Sequence, residues 1–206
     1  MANTNTPFGL KPVQQKNGAP YNGAFRAYYV PASYGTALFI GDPVVTTGTA
    51  NTAAVSAAGA GTFAIGTLPE INKATVGTGN KITGAIVGIA AVTSASLPYK
   101  PASTEAIVYV ADDPDLLFEI QADGSLTSVD VGLNACLIYT QSGSTSTGRS
   151  GAELDTGTTT APATTAAFQL TIVSIVNRMD NEAASSRVKL NVRINNHSMV
   201  NAAAGV

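Results

Sequence analysis

The densest acidic stretch of the sequence is ADDPDLLFE, which carries Asp112, Asp113, Asp115 and Glu119. Clustered carboxylates are what a hard cation such as Ca²⁺ needs, and a spaced pair is what glycoside hydrolysis needs. The stretch lacks the D-x-D-x-D-G order of a calcium loop, and Asp and Pro are favoured turn formers, so it reads as a turn between strands. A hydrolytic cleft would also bring aromatic platforms, and the chain has no tryptophan.

The other candidates for chemistry are isolated. His197, in NNHSMVNAAAGV, is the only histidine. A triad would have to use it, yet no G-x-S-x-G elbow supplies a nucleophile; a hydrogen-bonded or solvent-facing ring is expected instead. Cys136, in LNACLIYT, is the only cysteine. It lies in an apolar run with no basic neighbour to stabilise a thiolate, which marks a buried structural residue. One Cys and one His exclude an intrachain disulfide and a Cys/His zinc site. GTGNKIT, at Gly77–Thr83, fails as a phosphate loop because no glycine precedes Lys81, Ile82 stands where Ser or Thr is required and no helix pattern follows. It reads as a tight turn. No enzyme activity, cofactor or metal is therefore expected.

Composition points the same way. Of 206 residues, 45% are hydrophobic and only 12% charged, against roughly a quarter charged in ordinary domains. The surface must be polar through hydroxyls and amides, and covering it immobilises few long side chains. A net charge of −2 gives no electrostatic footprint for nucleic acid. There is no apolar run long enough for a membrane span and no secretory signal at MANTNTPFGL, so synthesis in a cytoplasm is expected.

From Phe25 onward, short β-branched or aromatic runs alternate with Gly, Pro, Asn and Asp, which predicts an all-β domain. The expected strands are Phe25–Val30, Ala37–Ile40, Pro43–Thr47, Thr62–Leu68, Ile82–Val92, Ala106–Ala111, Leu116–Gln121, Gly132–Thr140, Phe168–Asn177 and Arg187–Asn195. In SRVKLNVRIN, Val188, Leu190, Val192 and Ile194 share one face, so that face is buried. Asp123-Gly124 predicts a type I′ hairpin turn. Gly84 and Gly88 in GAIVGIAAVT predict a buried, bent strand. RMDNEAASS, with some helix formers, is read as a loop or single turn.

The fold class expected is an antiparallel β-sandwich or barrel, jelly-roll-like, formed by residues 25–206. Two segments stand apart from it. Residues 1–24 form an extended N-terminal arm. Residues 142–167, rich in Ser, Thr and Gly, form a long polar loop that would order against a neighbour.

The opening PFGLKPVQQKNGAPYNGAFRAYYVP, with GDPVVTTG, YVADDPDLLFEIQ, DVGLNA, GAELD, DNE and RINNH, resembles small head proteins of tailed bacteriophages and prophages that accompany a major capsid protein. The blocks span most of the chain. The resemblance implies a capsid decoration, or cement, protein on the outer surface of the virion, which bridges major capsid protein subunits and resists the pressure of packaged DNA. It also implies a homo-oligomer, a trimer in preference to a dimer, with no direct contact to nucleic acid or membrane.

On that reading the arm docks on the capsid. Its prolines restrict φ and lower the entropy lost on docking. Phe8, Tyr21, Phe25, Tyr28 and Tyr29 are its expected aromatic anchors, while Lys11, Lys16 and Arg26 meet acidic groups. The arm wrapping its own domain is the plain alternative. The competing function is a tail or surface module that recognises host carbohydrate.

Overall fold

The computed structural model describes residues 3–57, 61–91, 96–157 and 160–200; residues 1 and 2 of the expected arm, Val92 of one expected strand, residues 158 and 159 of the expected loop and residues 201–206 of the expected domain lie outside them. In chain order the strands are β1 (Lys11–Gln15), β2 (Arg26–Val30), β3 (Pro43–Ala50), β4 (Val55–Ala57), β5 (Gly61–Phe63), β6 (Pro69–Lys73) and β7 (Gly84–Ile89). There follow β8 (Ala106–Ala111), β9 (Leu116–Gln121), β10 (Asn134–Ala135), β11 (Leu137–Tyr139), β12 (Ala152–Leu154), β13 (Leu170–Ile175) and β14 (Lys189–Ile194). The protein is all-β; a single 3₁₀ turn at Ser128–Asp130 is the helical element of the described residues.

Ten of the fourteen described strands form two large assemblies, and β4-β5 and β11-β12 form two-stranded sheets beside them. A closed barrel runs β2-β6-β3-β7-β8, and a five-stranded antiparallel sheet runs β1-β9-β14-β13-β10. The barrel is filled by Tyr28, Val30, Val44, Ile71, Ile86, Val108 and Val110, with Leu38 beside them. The largest core lies between barrel and sheet. There Phe118, Ile120, Leu170, Ile172, Leu190 and Val192 from the sheet meet Ala85, Ala111 and Ile82 from the barrel side.

Local pattern explains most of this. Leu190, Val192 and Ile194 alternate into the core as expected, with Val188 just ahead of the strand. β7 bends where its register to β8 shifts between Ile86 and Gly88. Gly84 is required there, because a Cβ would lie 2.2 Å from the Ala111 carbonyl oxygen. β9 is buried on both faces. Its second face is covered from the N-terminal segment, where the Thr6 amide donates to Gln121 Oε1 at 3.0 Å and Gln121 Nε2 donates to the Thr4 carbonyl at 2.7 Å.

Several expectations are corrected. Residues 1–24 are not a separate arm over their whole length: Leu10 is in the core and β1 is the edge strand beside β9. The 142–167 segment is not simply a loop, since β12 pairs with β11 and residues 150–155 are buried. Asp123-Gly124 makes no hairpin, because β9 pairs with β1 and β14 instead of with the following residues. Thr62–Leu68 is divided between β5 and a turn, with β6 beginning at Pro69. Ala37–Ile40 contributes only isolated bridges, from Leu38 and Ile40.

Candidate partner-binding groove

An open groove of about 1060 Å³ lies between the N-terminal segment and the 141–151 loop. The first wall exists because the chain is pinned at Gly9. Its φ of +73° and the absence of a side chain let it press on Gly41, whose carbonyl oxygen would sit 2.1 Å from a Cβ. The Leu10 amide then donates to that oxygen at 2.9 Å. Pro7, Phe8, Lys11, Pro12 and Tyr21 are left facing the groove.

The second wall is a compact turn. The Ser144 amide donates to the Arg149 carbonyl at 2.8 Å, and Ile40 brackets the turn by donating to Gly148 and accepting from the Ser150 amide. Gln141, Ser144, Thr147 and Arg149 line this side.

Between the walls lie Glu119, Arg178 and Lys189. Arg178 bonds Glu119 at 3.0 Å and Asp180 at 2.8 Å, and Lys189 bonds Asp180 at 2.8 Å. The hydrogen bonds from Lys189 and then Arg178 hold the Asp180 carboxyl down at about 2. Lys11 and Arg149 are exposed and have no ion pair among the described residues.

The structure divides the residues expected to anchor a partner. Phe8, Lys11 and Tyr21 meet in the groove. Lys16 borders a smaller hollow with Gln15, Asn17, Asp113 and Asp115. Phe25 is 54% exposed and packs on Tyr109 with ring centroids 4.7 Å apart, outside the barrel. Arg26 is exposed and reaches Asp112 at 3.5 Å. Tyr29 bonds Glu105 at 2.7 Å.

Tyr28 is not a surface anchor. Alternation along β2 turns it into the barrel, where its hydroxyl donates to Asp112 Oδ2 at 2.7 Å. Burial, and then that bond, push its pKa well above the usual phenol range.

Sequence reasoning marks the segment of the second wall as a loop that would order against a neighbour but names no contact residue in it. Arg149 is the only charged residue in SGSTSTGRSG, which is the signal that would have singled it out.

The chemistry-bearing residues do not converge on an open site. His197 is 2% exposed, so of the two expected settings the ring takes the hydrogen-bonded one and is not solvent-facing. Nδ1 accepts from the Met199 amide at 3.1 Å, while Nε2 makes no hydrogen bond among the described residues. Burial lowers its pKa, against the Asp112 charge that raises it. Asp112 is itself buried and engaged by Tyr28 and Arg26, and neither it nor His197 lines the groove. Cys136 is buried, and burial raises its thiol pKa. Gly77 and Gly79, both at positive φ, form a turn in which the Asn80 amide reaches the Gly77 carbonyl at 3.4 Å.

Among the described residues no group of three or more His, Cys, Asp or Glu side chains is placed to hold a metal ion. Nor is any helix there long and apolar enough to cross a membrane. Fold and site together define an all-β protein with an open, mixed apolar and charged groove. No protein-family model, curated protein or solved structure matches the chain.

Proposed function

We propose that this protein acts by contact, as a decoration protein of a tailed-bacteriophage head. It sits on the outer surface of the shell and bridges neighbouring major capsid protein subunits against the outward pressure of packaged DNA. It works as a homo-oligomer, in trimers, after synthesis in the host cytoplasm.

The observation that carries this reading is the groove. Its two walls come from the two segments whose composition suits docking, and three of the expected anchors, Phe8, Lys11 and Tyr21, line it. The low charge of the surface supports the same role, since covering hydroxyls and short side chains costs little rotamer entropy. No single contact has to be strong. Many copies bound to the assembled shell stabilise that form by mass action, and a copy touching two subunits gains from effective concentration.

The test is co-sedimentation of the full chain with expanded heads that lack it, followed by heating. Saturable binding with rupture at a higher temperature is the expected result; absence of binding overturns the proposal. A second reading, a tail or surface module for host carbohydrate, draws on the exposed Phe25 ring against Tyr109. A glycan screen sensitive to Phe25→Ala would favour it.

A further inference from the structure

We infer that the groove seats an acidic, extended segment of a partner polypeptide, clasped between Lys11 on one wall and Arg149 on the other. This rests on the contact role proposed above and specifies the chemistry of what is contacted.

The charge distribution carries it. The chain as a whole is acidic, at −2, yet cations outnumber carboxylates in this groove. Lys11, Arg149, Arg178 and Lys189 line the groove against Glu119 alone. Arg178 and Lys189 are committed to Glu119 and Asp180. Lys11 and Arg149 are exposed and unpaired among the described residues, and they belong to opposite walls. Two uncommitted cations on two sides of one trough favour an anion that extends across it.

Shape favours a polypeptide over a small anion. The groove, at about 1060 Å³, is at or above the ~300–1,000 Å³ usual for small-molecule sites. Its length mixes charge with apolar surface from Pro7, Phe8, Tyr21 and Ile40. An extended chain presents side chains alternately to opposite sides, so carboxylates can meet the cations while apolar residues lie along the rings. Nucleic acid would need a larger cluster of free cations for its phosphates.

The test uses a fluorescein-labelled synthetic peptide alternating Glu with Val and Thr, beside its Lys-for-Glu counterpart. Both are titrated against the full chain and the K11Q/R149Q double variant, at low and high salt. The acidic peptide should bind the full chain with a salt-sensitive affinity, about ten-fold tighter than it binds the variant. The lysine peptide should bind weakly to both. In a K11E/R149E variant the preference should reverse, which keeps the test decisive if the neutral variant is altered in some other way.

Equal binding of both peptides, no binding of either, or an unmoved preference in K11E/R149E overturns the inference. So does a glycan screen whose hits are lost on K11Q/R149Q while the peptides stay silent. Head co-sedimentation separates the two readings. Full binding of heads by K11Q/R149Q would end the groove assignment and leave the decoration role standing. Failure of the unaltered chain to bind heads would end the decoration role whatever the peptides do.

Discussion

Lys73 Nζ lies 3.0 Å from Asp42 Oδ1, with the carboxylate side chain fully buried and the ammonium nearly so. The pair joins the barrel to the second wall of the groove, because Ser150 also donates to Asp42 Oδ1 and Lys73 reaches the Ser142 carbonyl at 3.3 Å. The Phe39 amide donates to Asp42 Oδ2 at 2.9 Å, and the ammonium sits 4.3 Å from the centre of the Tyr139 ring. Burial raises the Asp42 pKa, while Lys73, Ser150 and Phe39 oppose it.

Removing one partner of such a pair strands the other. Lys73→Met should destabilise the protein by about 3 kcal/mol or more. Adding Asp42→Asn, which removes the stranded charge, should recover part of that loss. Denaturant melts of the single and double variants measure the coupling. Strict additivity would show that the pair is not a unit.

Lys100 is 1% exposed and has no carboxylate partner among the described residues. Its ammonium is held by the carbonyls of Tyr34 at 3.0 Å and Thr36 at 3.4 Å, and lies 5.0 Å from the centre of the Tyr34 ring. Burial pushes its pKa down to about 8 from 10.5. The folded state therefore binds this proton less well than the unfolded state. Lys100 should add on the order of 2 kcal/mol of stability as pH climbs from about 8 toward 10, partly offset by the buried Cys136 thiol, which ionises more readily in the unfolded chain. Tyr28, raised well above the usual phenol range by burial, and Tyr29, raised to about 12, oppose the trend only above about pH 10, where unfolded tyrosines ionise. Lys100→Met should flatten the rise, and urea melts across this window read it directly.

His197 acts at the other end of the scale. Its folded pKa lies below the unfolded 6.5 because the ring is buried. Both states are neutral above that value, so the ring takes nothing from stability there. As pH falls from about 6.5 toward 5, the unfolded state takes up a proton that the folded state resists, and stability declines. Melts of His197→Gln against the unaltered chain should show a shallower loss over this window. Parallel curves would assign the acid sensitivity to other groups.

Gly9 and Gly18 both have positive φ but differ in their surroundings. A Cβ on Gly9 would collide with the Gly41 carbonyl, whereas one on Gly18 would meet nothing within 4 Å. Gly18→Ala should cost about 1 kcal/mol, the conformational penalty alone. Gly9→Ala should cost at least twice that, about 2 kcal/mol or more, and expose the amides of β1 to hydrogen exchange. Similar melting points and similar β1 protection in the two variants would mean that the Gly9 contact does not hold the N-terminal segment.

Legibility in the sequence follows local pattern. β14 and β8 were readable because their apolar residues repeat at strand spacing or in unbroken β-branched runs. β1 was not, because KPVQQ is polar, contains Pro12 and has a register shift at its pairing with β9; proline is tolerated there because the strand is an edge. β12 was hidden because its Glu153 reads as solvent-facing. It is buried through bonds from Arg187 at 3.0 Å and from the Thr140 hydroxyl. Gly124 misled because its small size serves a different end. Thr156 packs where a Cβ would stand, while its amide and hydroxyl bond Asp123.

The groove was half readable for the same reason. Rings and cations in the opening segment announced one wall. The other is built by backbone bonds among small hydroxyl residues and by contacts distant in sequence, which leave no periodic trace.

The position of β14 bears on how incomplete copies behave. It lies between β9 and β13, yet it is synthesised after both. A chain cut short before Lys189 would leave two apolar edges unpaired, with Phe118, Ile120, Leu170 and Ile172 beside them. Such edges invite aggregation and proteolysis instead of a persistent partial fold. Only a chain translated through Ile194 can therefore close the sheet.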